Sequence, residues 1–115
     1  MIQIKRVYMQ YSEEDGYRVL VDRLWPRGLS KEKAHVDEWL KEIAPSNELR
    51  KWFNHDPERY PVFKQRYEKE LESHGDLLQE LRKKAAHGRV TLLYGAKDEK
   101  HNQAVALAEI LKKKH

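Results

Sequence analysis

The order of apolar runs predicts an α/β fold: a small domain with a short, mostly parallel sheet flanked by helices. Three observations carry this. Residues 17–22 and 89–94 are nearly continuous apolar runs, as in strands covered on both faces. The long stretch between them has helical periodicity, which favours parallel pairing of the two runs through a crossover. At 115 residues the chain has the size of a single domain, long enough to bury a core of its own.

Taken in order, residues 2–8 alternate apolar and polar side chains and read as a strand with one wet face. Residues 12–16, Ser-Glu-Glu-Asp-Gly, carry turn chemistry; they make either a hairpin or a one-turn helix before strand 17–22. Pro26 and Gly28 prevent a regular element over 23–29. Ser30 is an N-cap for a helix over 31–43, with Ala34, Trp39, Leu40 and Ile43 as its apolar stripe, ended by Pro45. Ser46 caps a short helix over 47–54. Asp56-Pro57 starts another over 57–73, burying Tyr60, Phe63, Tyr67 and Leu71. A helix opened by Gly75-Asp76 closes at Gly88, strand 89–94 follows, and Asp98 caps a final helix over 99–113. The pairing direction of strand 2–8 is not fixed by the pattern.

Composition excludes several classes. With 39% hydrophobic residues the chain is not disordered by composition. No apolar run approaches the ~20 residues of a membrane span, and Gln3 and Lys5 interrupt the N-terminal apolar residues. The expectation is a cytoplasmic protein without a membrane partner. The sequence has no cysteine, which excludes disulfides, zinc–thiolate sites and thiol catalysis. A net charge of +4 permits an anionic partner without demanding one. The basic clusters Arg82-Lys83-Lys84 and Lys112-Lys113-Lys114 fall near helix C-termini, where cations suit the helix dipole. No Walker loop, GxGxxG, GxSxG or HExxH motif is present, so the cofactor, if there is one, is left open.

If 17–22 and 89–94 are parallel neighbours, their carboxyl ends lie side by side, where open α/β sheets bind ligands. Asp22, Arg23, Trp25, Arg27 and Lys31 leave the first strand; Tyr94, Lys97, Asp98, His101 and Asn102 belong to the second and its following turn. Arg23, Arg27 and Lys97 would hold an anion such as a nucleotide or a phosphorylated metabolite, with Trp25, Lys31, Tyr94 and Asn102 as further ligand contacts. The structural alternative is that Arg23 and Arg27 pair with Asp22, Asp56 or Asp98 and only pin the loop. Asp22 or Asp98 as base, and His55 or His101 as proton carrier, form the candidate catalytic set; whether the protein is an enzyme stays open. His55 equally reads as a turn residue and His101 as a surface one. No tight ligand spacing supports a metal. A second functional reading is a non-enzymatic module that contacts single-stranded nucleic acid or a protein through Trp25, Arg27 and Lys31. A third is a homodimer with exposed aromatics at its interface.

The run 19–28, Val-Leu-Val-Asp-Arg-Leu-Trp-Pro-Arg-Gly, with Leu29-Ser30-Lys31, resembles the signature of the YeaO-like branch of the domain of unknown function 488 family. Segments 38–46, 49–53 with His55-Asp56, and 90–94 with Ala96-Lys97-Asp98 and His101-Asn102 match the same family, so the resemblance covers nearly the whole chain. It implies a small α/β domain with a Rossmann-like layout and no particular activity. Wider members often carry a cysteine and a histidine after the last strand. Here that stretch has His101 and no cysteine, so no thiol chemistry carries over.

Overall fold

The structure, a computed structural model, describes residues 1–113; Lys114 of the terminal lysine cluster and His115 lie outside the described residues. Four parallel strands form one sheet: β1 (Ile2–Arg6), β2 (Tyr17–Leu20), β3 (Glu38–Trp39) and β4 (Val90–Tyr94), in the spatial order β1-β4-β2-β3. The helices are α1 (Lys31–Ala34), α2 (Asn47–Phe53), α3 (Tyr60–Leu71), α4 (Gly75–His87) and α5 (Gln103–Lys112). The expected small α/β domain is thus the fold found, with β2 and β4 as parallel neighbours at its centre.

Alternation along the two central strands builds two cores. Val19, Val21, Val90, Leu92 and Tyr94 join the large cluster with α2 to α5, including Phe53, Phe63, Tyr67 and Leu107. Leu20, Leu93 and Val7 turn to the other face, where Ala34 and the half-buried Trp25, Leu29, Val36 and Trp39 cover them. Polar groups complete that second face. Arg18 is 1% exposed and donates to the carbonyls of Ala34 and His35 and to Asp15, itself 2% exposed and also bound by Lys5. Burial by itself would raise the Asp15 pKa, but hydrogen bonds from Lys5, the Ser12 amide and Arg18 outweigh it and hold the carboxyl below its ordinary range.

Four expectations are corrected. The helix expected over 31–43 lasts one turn. His35 takes a left-handed φ of +49°, and the chain then extends into β3, Glu38 and Trp39 standing opposite Val19 and Leu20. Trp39 and Leu40, read as one helical stripe, face opposite cores; pairing with the free edge of β2 outweighs local helix propensity here. Next, β1 does not pair with β2, because β4 lies between them. A one-turn 3-10 helix, Glu13–Asp15, capped by Ser12, links the two strands. The last helix starts at Gln103 and is capped by Asn102, whose Oδ1 accepts from the Val105 amide; Asp98 does not cap it. Finally, the segment expected as one helix over 57–73 is a 3-10 turn, Pro57–Arg59, running into α3.

Candidate functional site

Beyond the carboxyl ends of β2 and β4 lies a cavity of about 420 Å³, within the range of small-ligand sites. Its polar wall begins two residues past β2. Asp22 Oδ2 accepts from the Gly95 amide at 2.8 Å, and Oδ1 accepts from Gln103 Nε2. A Cβ on Gly95 would stand 3.1 Å from Asp22 Oδ2, so the absent side chain lets the turn after β4 close on the carboxyl. Asp22 therefore ties the end of β2 to the end of β4 and the start of α5. Burial pushes its pKa up to about 6; the Gly95 amide, the Arg50 charge and Gln103 oppose that rise without cancelling it.

Seven of the residues expected at the site line this cavity: Asp22, Arg23, Trp25 and Arg27 from the loop after β2, with His55, His101 and Asn102 opposite. Their local roles differ. Arg23 donates to the carbonyls of Ala44 and Pro45, each at 3.2 Å, and so fixes a stretch of the cavity wall. It pins a loop, but through carbonyl oxygens and not through Asp22, Asp56 or Asp98. Trp25 donates Nε1–H to the Leu29 carbonyl at 2.7 Å and stands edge-on to Trp39, which orients its ring. Arg27 is exposed and forms no ion pair among the described residues; its carbonyl accepts from Tyr8 Oη at 3.0 Å. His55 is exposed at a left-handed φ of +56°, between the end of α2 and the Asp56 cap of the next turn.

Asp98 stands one step behind the wall. Its Oδ1 accepts from the amides of Lys100 and His101, and its Oδ2 lies 2.9 Å from His101 Nδ1. The Lys100 amide first, and then the His101 ring, hold the Asp98 carboxyl below its ordinary range. A carboxylate only accepts, so His101 carries its proton on Nδ1 and leaves Nε2 as the second functional nitrogen. The His101 ring meets Tyr60 edge-on, and Tyr60 Oη donates to the Asn102 carbonyl at 2.8 Å.

The structure does not bring Lys31, Tyr94 or Lys97 to the wall. Lys31 is exposed at the start of the one-turn α1, Lys97 is exposed in the turn after β4, and Tyr94 is buried in the main core. Reading the sequence misses Arg50, Gln103 and Tyr8, all of which line the cavity. Arg50 stands three residues before Phe53 on α2, so the helical period places it beside that inward ring. Gln103 is hidden by the misplaced start of the final helix. Among the described residues, no three His, Asp or Glu side chains gather closely enough to hold a metal ion. No helix of the described residues is long and apolar enough to cross a membrane.

A parallel sheet with an arginine-walled cavity over its central carboxyl ends defines a small α/β protein with an open site at the strand ends. Residues 1–115 match the family model described as "DUF488-N3i: Inactive DUF488-N3 subclade", and the chain belongs to that family. It is 47% identical over 114 residues to the uncharacterised protein YeaO of Escherichia coli strain K12, covering 96% of each chain. It is 41% identical over 110 residues to the uncharacterised proteins Rv3073c of Mycobacterium tuberculosis strain H37Rv and Mb3100c of Mycobacterium bovis, covering 96% of this chain and 92% of each of those. No solved structure matches the chain.

Proposed function

We propose that this protein is a cytoplasmic binder of a small anionic ligand, a nucleotide or phosphorylated metabolite, held in the cavity over β2 and β4. One observation carries the reading: Arg27 and Arg50 line the cavity beside the apolar Trp25, Pro26, Phe53 and Phe63, and among the described residues neither is in an ion pair. A guanidinium beside a low-dielectric wall is a forked donor that matches phosphate or carboxylate geometry. His101, held by Asp98, and His55 add ring nitrogens at the same wall and contact the ligand. The description of the matched subclade as inactive favours binding without turnover, so His101 is read as a ligand contact that Asp98 positions and not as half of an acid–base pair.

The test is a thermal-shift screen of nucleotides, sugar phosphates, sulfate and divalent metals at low and moderate salt. Ligand that binds only the folded state raises the melting temperature. A rise with one phosphorylated class, kept at moderate salt, supports the reading; a flat screen rejects it. Tyr8, an aromatic side chain 42% exposed at the cavity wall, favours a second reading in which single-stranded nucleic acid crosses the mouth. That binding would weaken steeply with salt as counterions are released.

A further inference from the structure

The cavity is bipolar, and a bare anion does not satisfy it. Asp22 presents a half-buried carboxyl to the same space as Arg27 and Arg50. Each of its oxygens accepts one bond from the protein, from Gly95 and from Gln103. A carboxylate has about four acceptor positions, so about half remain for something else. A phosphate alone would meet repulsion there. A ligand with hydrogen-bond donors at one end and an anion at the other would meet complementary groups at both. The same cavity is also lined by apolar and aromatic groups, Trp25, Pro26, Phe53 and Phe63. A sugar alone leaves such a wall uncovered, while a flat heterocycle covers it.

Building on the anion-binding reading, we infer that the ligand is a nucleoside monophosphate whose donor pair faces Asp22 and whose phosphate faces Arg27 and Arg50. Two parts of a nucleotide supply such a pair, the vicinal ribose hydroxyls and the guanine edge with its ring N–H and amino group. Asp22 is then the residue that selects phosphates carrying such a donor pair over inorganic phosphate, and the aromatic wall adds the preference for a base. Gln103 is a positioning residue, since it touches Asp22 and holds the carboxyl in place.

The test is calorimetric titration of the whole protein with GMP, AMP, 2′-deoxy-GMP, ribose 5-phosphate and inorganic phosphate. The expected result is that at least one nucleotide binds tenfold or more tighter than ribose 5-phosphate. GMP over AMP assigns the donors to the base; equal GMP and AMP with loss for 2′-deoxy-GMP assigns them to the ribose. Asp22→Asn replaces one acceptor oxygen with an NH2 group. It should weaken the nucleotide at least tenfold while leaving phosphate unchanged or tighter. Arg27→Ala with Arg50→Ala should weaken every phosphorylated probe. If nucleotides bind no tighter than ribose 5-phosphate, or if Asp22→Asn weakens nucleotide and phosphate alike, the nucleotide inference is overturned and the anion reading stands. If no phosphorylated probe binds the unmodified protein, both fall. The comparison across probes on the unmodified protein decides the matter even if Asp22→Asn fails to fold.

Discussion

Gln103 and Asp22, 81 positions apart in the chain, are joined side chain to side chain at the floor of the cavity. One donates from the first residue of the last helix, and the other accepts two residues past a central strand. The contact makes the site a product of the folded sheet, so its stability and its chemistry share one carboxyl.

The first prediction concerns that carboxyl. Burial raises the Asp22 pKa from 3.8 to about 6. Between those values the folded state binds more protons than the unfolded state, so this group's contribution to stability falls as pH rises and levels off above about pH 6. Asp22→Asn should therefore be more stable than the unmodified protein at pH 7.5, by about 1–3 kcal/mol. The advantage should shrink toward pH 4. Urea titrations of both proteins at several pH values check the sign. Taking the difference between them removes the opposite trends of Asp15 and Asp98.

Asp15 and Arg18 should behave in the contrary way. Arg18→Leu leaves a buried carboxylate with Lys5 as its one cationic partner among the described residues and should cost about 3–5 kcal/mol. The Asp15 pKa is held below its ordinary 3.8, so the stability it contributes is present at neutral pH and is lost as pH falls through the folded value. Denaturant midpoints at pH 7 and pH 3 for the Arg18→Leu and unmodified proteins measure both effects.

Gly16→Ala is the sharpest backbone test. Gly16 has a φ of +67°, and an added Cβ would collide with the Arg89 carbonyl oxygen, which accepts from the Tyr17 amide at the start of β2. The variant should lose about 2 kcal/mol or more. Gly28→Ala has a similar φ and open space around it, so it should lose clearly less in the same thermal melts.

Binding should separate the wall from its surroundings. For a phosphorylated probe, Arg27→Ala and Arg50→Ala should each reduce affinity about tenfold, since a charge-assisted hydrogen bond contributes about 1.5 kcal/mol. Lys31→Ala and Lys97→Ala, both off the wall, should change it by less than about twofold. Equal losses at all four positions would point to long-range charge in place of a site.

The central pair of strands was legible because both are buried on both faces, so a nearly continuous apolar run, interrupted only by Arg18 in one and Thr91 in the other, marks each of them. The crevice residues after β2 were legible for the same reason: once the strand end is placed, Asp22, Arg23, Trp25 and Arg27 must leave it together. Residues 38–40 were not. Glu38 and Trp39 are strand only because β2 offers a free edge, a tertiary fact with no local signature, and the same apolar spacing fits a helix. The start of α5 failed through a competition between two caps. Asp98 and Asn102 are both good N-cap residues; Asp98 spends its carboxyl on a turn and on His101, leaving Asn102 to cap the helix. Arg50 was hidden because an exposed arginine on a short helix looks the same whether it faces bulk water or a cavity.

The strand order carries a consequence for biosynthesis. Ile2 pairs with Val90, and β2 finds its second neighbour on the same late strand. On the ribosome the first two strands emerge early and wait for most of the chain before their common partner appears. Nearly every sheet contact is non-local, so loop closure must come before any gain from it, and folding should be slow for a chain of this size. Until the central strand arrives, Val19, Leu20 and Val21 form an uncovered apolar ribbon. That interval, and not the finished molecule, is when aggregation or chaperone capture would act.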